Sequence, residues 1–395
     1  MTTRRAILRG LASASASLTL AACTKRPAAA PTRSPEPAPR PKAPRGTMLV
    51  LGGTRFLGPA VVDAAIEAGW EVTLFNRGKS NPEMYPDLEK LVGDRDPDKD
   101  AGLTALQGRR FAAVVDTSGY FPRHVAATAK LLGEAAEQYV FVSSVSAYAA
   151  HDTPDADESD ELAVLEDPTV ESMGEQFENY GGLKVLCEQA ADKAMPGRVT
   201  NVRPGFIVGP NDPTDRFTYW PVRYARGGTM LVPGTPDDPI QIIDVRDLGK
   251  WIVHLCGDKT MGVFNAVGPA RPSSMGEIMA ACGQGIDAPP QLSWVDADFL
   301  TAAAEKAAEE GNAVPMGLPI WVPATGESAG FHRRSNAKAI AAGLTFRPVT
   351  ETVVDTRQWF LSEPAERQAQ LRAGLPPQIE AELLAAYAAA QTPAA

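Results

Sequence analysis

The sequence predicts an α/β protein, a doubly wound parallel sheet followed by a smaller C-terminal lobe. Three observations predict it. Residues 48–51 are apolar and run directly into glycines at 52, 53 and 58, with an amphipathic stretch beginning at Pro59. From there to Val202, short apolar runs alternate with helical stretches, and strands separated by helices favour a parallel sheet over hairpins. From Pro204 onward the pattern breaks into pieces punctuated by Pro and Gly, which marks the second lobe.

In chain order, residues 48–51 form the first strand and 59–68 the first helix. A second strand, 70–75, ends in Asn76-Arg77-Gly78, and a third, 88–92, ends in Gly93-Asp94-Arg95. Residues 111–116 form another strand, followed by a helix near 124–138. Residues 139–143 are strand-like, 180–193 are helical, and 199–202 close the run. Residues 241–251 and 263–267 are expected to return to the sheet. Residues 378–390 form an alanine-rich helix with no evident chemistry.

With 395 residues the chain can bury a large core, and 44% hydrophobic with 22% charged residues is ordinary for a globular protein. The net charge is −10, and no Lys/Arg-rich block lies away from the termini. Both facts argue against nucleic acid or an anionic membrane surface as the main partner. Cys23, Cys187, Cys256 and Cys282 are far apart and form no C-x-x-C. They indicate neither a zinc site nor a disulfide framework, and no metal is expected. The last three, in apolar surroundings, read as core fillers.

Arg4-Arg5 opens a twin-arginine start, and residues 10–22 are small, apolar and uncharged. That run is too short to span a bilayer and suits a signal segment. Leu20-Ala21-Ala22-Cys23 resembles a lipoprotein processing box, which would make Cys23 the lipidated first residue. The alternative is cleavage nearby with Cys23 incidental. Residues 24–46, rich in Pro, Ala and basic residues, read as an extended tether. The expectation is export to the cell envelope or periplasm, with the membrane met only through a lipid anchor.

A strand, a tight glycine turn and a helix start together hold a dinucleotide pyrophosphate. Glycine lets the backbone approach the phosphates, and the helix N-terminus supplies N–H groups and a positive dipole end. Gly52, Gly53, Thr54, Arg55, Phe56, Leu57 and Gly58 form that turn, with Arg55 at the middle position of G-x-x-G-x-x-G. At the second strand end an acid would grip the ribose 2′-hydroxyl of NAD. Here Asn76 and Arg77 stand there, and Arg77 with Lys79 can pair with a 2′-phosphate, which favours NADP(H) over NAD(H). Asp94 either holds the adenine amino group or serves as a cap or surface acid.

Tyr180-Gly-Gly-Leu-Lys184 places Tyr and Lys on one helix face. An unperturbed phenol has a pKa of about 10. A neighbouring ammonium would lower it and make Tyr180 a general acid/base. Lys184 can also hydrogen-bond a nicotinamide ribose. The bare pattern is weak; its place after a strand ending in Ser143-Ser144-Val145-Ser146-Ala147-Tyr148 gives it weight.

These pieces, with Asp116-Thr117-Ser118-Gly119 and the stretches 203–210 and 243–248, fall in one order. Over about residues 47–360 the chain resembles an extended short-chain dehydrogenase/reductase of the NAD(P)-dependent epimerase/dehydratase type. The resemblance implies a Rossmann-type NAD(P)-binding domain over 47–205, after a signal over 1–23 and a tether over 24–46. A substrate lobe follows over 206–362, with returns to the sheet at about 241–270, then a helical tail over 363–395. It implies that Tyr180 moves the proton, Lys184 is its electrostatic partner, and Ser144 hydrogen-bonds the reacting oxygen. Thr117, Ser118 and Gly119 would line the nicotinamide ribose, and Pro204 to Ile207 would pass beside the nicotinamide. A homodimer is the implied default. Val145 and Ser146 stand where the family's dehydratases carry an Asp-Glu pair, so dehydration is disfavoured. The turn 52–58 also resembles a divergent branch that includes chloroplast RNA-binding proteins; members of that branch often lack the Tyr/Lys pair, which this chain keeps.

Residues 152–178 carry eleven acids and no Lys, Arg or His. They read either as a solvated loop or as a mobile flap. A flap would repel an anionic substrate unless Arg203, Arg216 and Arg223 offset it. Arg216, Tyr219 and Arg223 are candidates for substrate contact, against packing between lobes. The expected function is an exported NAD(P)-dependent oxidoreductase or epimerase acting on a hydroxyl/carbonyl carbon of a sugar or sugar nucleotide. Little free NADP(H) is met outside the cell, so a redox-neutral epimerase suits export better than a net reductase. The alternatives are a non-catalytic NADP(H)-binding envelope protein and an RNA-binding relative.

Overall fold

The computed structural model describes residues 45–309 and 318–391. The twin-arginine segment, Cys23 and the tether up to residue 44 lie outside the described residues. The strands are β1 (Thr47–Leu51), β2 (Glu71–Asn76), β3 (Glu89–Val92), β4 (Phe111–Asp116), β5 (Ala136–Val142), β6 (Val199–Pro204) and β7 (Phe206–Val208). They continue with β8 (Thr229–Pro233), β9 (Pro239–Ile240), β10 (Ile242–Asp244), β11 (Gly262–Ala266), β12 (Ser273–Ser274) and β13 (Gln291–Val295). Seven of them form one parallel sheet in the order β11-β6-β5-β4-β1-β2-β3.

Alternation along the strands builds a core on each face. In β1, Met48 and Val50 enter one core, and Leu49 and Leu51 the other. Helices α1 (Leu57–Glu67) and α5 (Val245–Gly257) cover the first face through Val61, Val62, Leu248 and Ile252. Helices α2 (Pro122–Leu132) and α3 (Tyr180–Ala194) cover the second through Val125, Ala129, Cys187 and Ala191. Each fully buried Val or Leu is worth about 1.5–3 kcal/mol relative to exposure. A strand buried on both faces therefore leaves little freedom in register. This is the doubly wound fold that the sequence predicts.

Two expectations need correction. The helix expected near 124–138 ends at Leu132, and Ala136 already begins β5. Residues 134–138 are good helix formers, but β5 is sandwiched between β4 and β6, and Gln138 is fully buried. Its amide donates to Thr200 Oγ1 (2.9 Å) and to the Thr260 carbonyl (3.1 Å). Tertiary pairing overrides the local propensity. Residues 241–251 do not rejoin the main sheet: β10 pairs with β7, and α5 follows. The second expected return does occur, as β11 pairs with β6.

A further core gathers α4 (Tyr219–Ala225), α6 (Met275–Cys282), β8, β13 and the helices Val349–Ser362 and Pro377–Ala390. The last helix is stapled in by a buried charge pair. Arg223 Nε donates to Glu380 Oε2 at 2.7 Å, and the Leu231 backbone N–H donates to Oε1 at 3.0 Å. Both side chains are under 10% exposed. Removing one charge strands the other in low dielectric. Glu380→Gln should therefore lower stability by about 3 kcal/mol, measured as the urea unfolding midpoint of the variant against wild type.

Candidate active site

The order of strands reverses between β1 and β4, and their carboxyl ends open the crevice in which such sheets bind ligands. A cleft of about 970 Å³ opens there, with the glycine turn, Tyr180 and Phe206 among its lining. At one end lies the glycine turn. Gly52 has φ of +108°, and a Cβ there would meet Thr117 Oγ1 at 2.5 Å. A Cβ on Gly58 would meet the Gly53 Cα at 2.6 Å. Glycine is thus required for the turn to form and for α1 to close on it. Phe56 enters α1 at φ 46°, Leu57 packs into the core, and Thr54 is buried with its carbonyl accepting from Asn81 Nδ2. Arg55 is exposed and lines the cleft.

The end of β2 faces the same turn. Asn76 Nδ2 donates to the Gly52 carbonyl at 3.3 Å, while its Oδ1 accepts from the Gly78 N–H at 2.8 Å. Asn76 therefore braces the turn and presents Arg77 and Lys79, both exposed on the cleft wall. Asp94 lines it too and caps its own loop, with Oδ1 accepting from the Asp96 N–H. A glycine cradle, a helix start and exposed cations fit a dinucleotide's phosphates.

Under the crevice sits a buried network. Asp116 is 0% exposed. It accepts from Arg95 through both nitrogens (2.6 and 2.7 Å), from Tyr139 Oη (2.6 Å) and from the Ser118 N–H (3.0 Å). Burial would push this carboxyl up, but Arg95 holds it below the ordinary carboxylate range. Thr117 and Ser118 donate to the Leu51 carbonyl, so the loop 117–119 is tied to the end of β1.

At the other end, α3 carries Tyr180 and Lys184 into the cleft. Lys184 is 3% exposed. Its Nζ donates to the Gly119 carbonyl at 2.8 Å and to the Val142 carbonyl at 2.6 Å. Burial pulls its pKa down to about 8. Burial also pushes the Tyr180 phenol up to about 12; Tyr120 adds to this, while Ser144 and Arg216 pull the other way. Lys184 is not among the groups that dominate Tyr180. The phenol therefore stands above its ordinary range and not below it as expected, because its own burial outweighs the neighbouring groups that favour the phenolate. Ser144 donates to Ser146 Oγ at 3.1 Å, and Pro204 and Ile207 line the wall nearby.

Of the three candidates for substrate contact, only Arg216 reaches the cleft. Tyr219 is 1% exposed in the core built by α4, α6, β8 and β13, and Arg223 is consumed by Glu380; packing, not substrate, explains both. Arg203 cannot offset the acidic segment either, since it is buried against Glu188 at 2.5 Å. That segment is anchored instead. Glu171 pairs with Arg123, Asp160 with Arg334, and Glu158 accepts from the Asn265 N–H. None of its residues is among the described lining of the cleft. Sequence reasoning missed Arg95, Tyr120, Ser146 and Phe331, which do line it. The first three adjoin motif residues, whereas nothing in the sequence ties Phe331 to the site.

The description of the NAD dependent epimerase/dehydratase family matches residues 48–266. A relative from Arabidopsis thaliana, the chloroplast stem-loop binding protein of 41 kDa b, is 26% identical over 238 residues. The match covers 56% of this chain and 58% of the relative, so the chain spans under two thirds of that protein. The fold matches the human epimerase family protein SDR39U1 (isoform 2) with NADPH at a TM-score of 0.51 and 20% identity, over 79% of this chain and 99% of that one. It also matches the UDP-glucose 4-epimerase of Thermus thermophilus in complex with NAD at 0.54 and 15%, over 80% and 100%.

Lys184 makes stability depend on pH. Its folded pKa of about 8 lies below the unfolded value of about 10.4, so the folded state binds the proton less tightly. The penalty is present in full below pH 8 and is relieved as pH rises toward the unfolded value. Relative to Lys184→Met, the nucleotide-free wild type should gain on the order of 2 kcal/mol between about pH 8 and about pH 10. Paired urea titrations across that window measure it.

Proposed function

The chain belongs to the NAD dependent epimerase/dehydratase family, and on that premise we propose that it is an exported, NADP(H)-preferring oxidoreductase or epimerase. It acts on a hydroxyl/carbonyl carbon of a sugar or sugar nucleotide and is held at the cell envelope through a lipid on Cys23. The observation that carries the catalytic reading is the convergence of Tyr180, Ser144 and Lys184 at one end of a cleft whose other end is the glycine turn.

When bound, the nicotinamide supplies the hydride acceptor or donor. The chain's own groups handle the proton. With its pKa near 12, the Tyr180 phenol is protonated at neutral pH, which suits proton donation to a substrate carbonyl oxygen. In the reverse direction Tyr180 Oη accepts that proton. Ser144 Oγ, its hydroxyl turned from Ser146 Oγ, supplies a second hydrogen bond to the same oxygen. Lys184 holds the ends of β4 and β5 together beneath them, and its third N–H would hydrogen-bond the ribose of a bound cofactor. Val145 and Ser146 supply no carboxylate for dehydration.

Tyr180→Phe should lower turnover by about 10²–10⁴-fold while leaving NADP(H) affinity unchanged; hydride exchange on candidate sugar nucleotides and calorimetry give the two readouts. An unchanged rate would favour a non-catalytic binder. Salt-sensitive binding of RNA stem-loops by the purified protein would favour the RNA-binding alternative, against which the net charge of −10 counts.

Arg55 and Arg77 are both exposed and both line the cleft, which supports reading them as a cationic clamp on NADP. Arg55→Gly should weaken NADP(H) binding more than NAD(H) binding, measured by parallel calorimetric titrations. Equal losses would reduce Arg55 to a filler of the missing glycine position.

A further inference from the structure

We propose that Arg123 is a positioning residue that couples the cofactor to the catalytic tyrosine: a dinucleotide seated on the loop after β3 steadies, through Arg123 and Glu171, the loop that leads into Tyr180. The proposal rests on the cofactor reading above. It gives a role to the acidic segment, none of whose residues is among the described lining of the cleft.

On the cofactor side, Asp94, Asp96, Lys99 and Asp100 of the loop after β3 line the cleft. The loop is folded on itself: Asp94 Oδ1 accepts from the Asp96 N–H at 2.9 Å, and Asp96 Oδ1 from the Asp98 N–H at 3.1 Å. Arg123 stands in the first turn of α2, close in the chain to the lining residues Phe121 and His124. Its Nη1 donates to Asp96 Oδ1 at 2.7 Å and to Asp98 Oδ2 at 3.0 Å. The same guanidinium grips Glu171, with Nε donating to Oε1 at 2.7 Å and Nη2 to Oε2 at 3.2 Å. One planar fork thus holds the cofactor rim and the acidic segment at once, a geometry that a lysine cannot reproduce.

From Glu171 the link to the reacting end is short. Gly174 at φ 79° and Phe177 at φ 63° turn the chain back on itself. Asn179 closes the turn: its N–H donates to the Met173 carbonyl and its Nδ2 to the Ser172 carbonyl, both at 3.1 Å. Tyr180 follows at once, its N–H donating to the Phe177 carbonyl at 3.0 Å as α3 begins. A displacement of Glu171 therefore reaches the start of α3 through the tie at Asn179, without travelling round the loop. Upstream, the Ala163 N–H donates to the Ala147 carbonyl at 2.8 Å. Between 164 and 171 the pair with Arg123 is the only hydrogen-bonded or ionic tie to the body among the described residues. The pin can also open. The Arg123 and Glu171 side chains are 37% and 45% exposed, and ion pairs reached by water are weak. A dinucleotide seated on loop 94–100 would fix Asp96, and with it the guanidinium, which shifts the balance toward the pinned form.

The test is amide hydrogen exchange of the full protein, followed over residues 172–179 with and without saturating NADP⁺. None of these residues is among the described lining of the cleft, so their protection reports the link and not contact with the ligand. NADP⁺ should slow their exchange about fivefold or more in the wild type, the lower end of ordinary coupling. Glu171→Ala, at an exposed position that leaves Arg123 on Asp96, should still bind NADP⁺ and lose that dependence. Glu171→Asp, which keeps the charge, should retain part of it. By linkage, Glu171→Ala should also weaken NADP⁺ by up to the same factor, read by calorimetry. If Glu171→Ala raises exchange equally with and without NADP⁺, or if NADP⁺ leaves exchange over 172–179 unchanged in the wild type, the proposal is overturned and the pair is structural alone. Failure of the wild type to bind NADP⁺ overturns the cofactor reading beneath it instead.

Discussion

One buried ammonium joins the parts that a reacting centre needs. Lys184 rises from α3 and donates to the carbonyl of Gly119, just past β4, and to that of Val142, at the end of β5. It thereby sets the separation of two strand ends and pins to them the helix that carries Tyr180. A cation this deeply buried is costly, and its lowered pKa is the mark of that cost. Two short hydrogen bonds and the faces of Phe141 and Tyr120, at 4.3 and 5.4 Å, offset it. The phenol gains position from this arrangement rather than acidity.

The same logic repeats beneath the crevice. Asp116 and Arg95 form a charge pair that burial would penalise if either stood alone. Tyr139 and the Ser118 N–H complete the carboxylate's hydrogen bonds. The loop 117–119 is thus held between β1 and the network, opposite a glycine turn that tolerates no side chain at its closest approach. Rigid polar contacts line the floor, while Arg55, Arg77, Lys79 and Arg216 line the cleft with no carboxylate partner among the described residues.

Much of this was legible before any coordinates. The apolar run into Gly52, Gly53 and Gly58 is a local pattern, and local patterns survive folding because backbone conformation and helix starts are decided within a few residues. Tyr180 and Lys184 share a helix face for the same reason, and their arrival in one cleft with Ser144 follows from strand order. The expected helix over 124–138 went wrong because residues 134–138 favour a helix locally while two neighbouring strands demand an extended partner. The reading of Tyr219 and Arg223 as substrate contacts failed because a residue type in an aromatic, arginine-rich stretch does not reveal which way it points.

By itself the sequence determined the parallel α/β class, the glycine turn, the Tyr/Lys pair and the family, since each depends on spacing within one segment or on the order of such segments. Only the tertiary structure decided which charges are spent. Glu380 meets Arg223 across 157 residues, Asp116 meets Arg95 across 21, and Lys184 meets Gly119 across 65. Whether a cation is neutralised in the core or left facing a cleft depends on contacts between segments distant in the chain. That is why Arg216 and Arg223, seven positions apart and alike in the sequence, end in different places, one on the cleft wall and the other buried against Glu380.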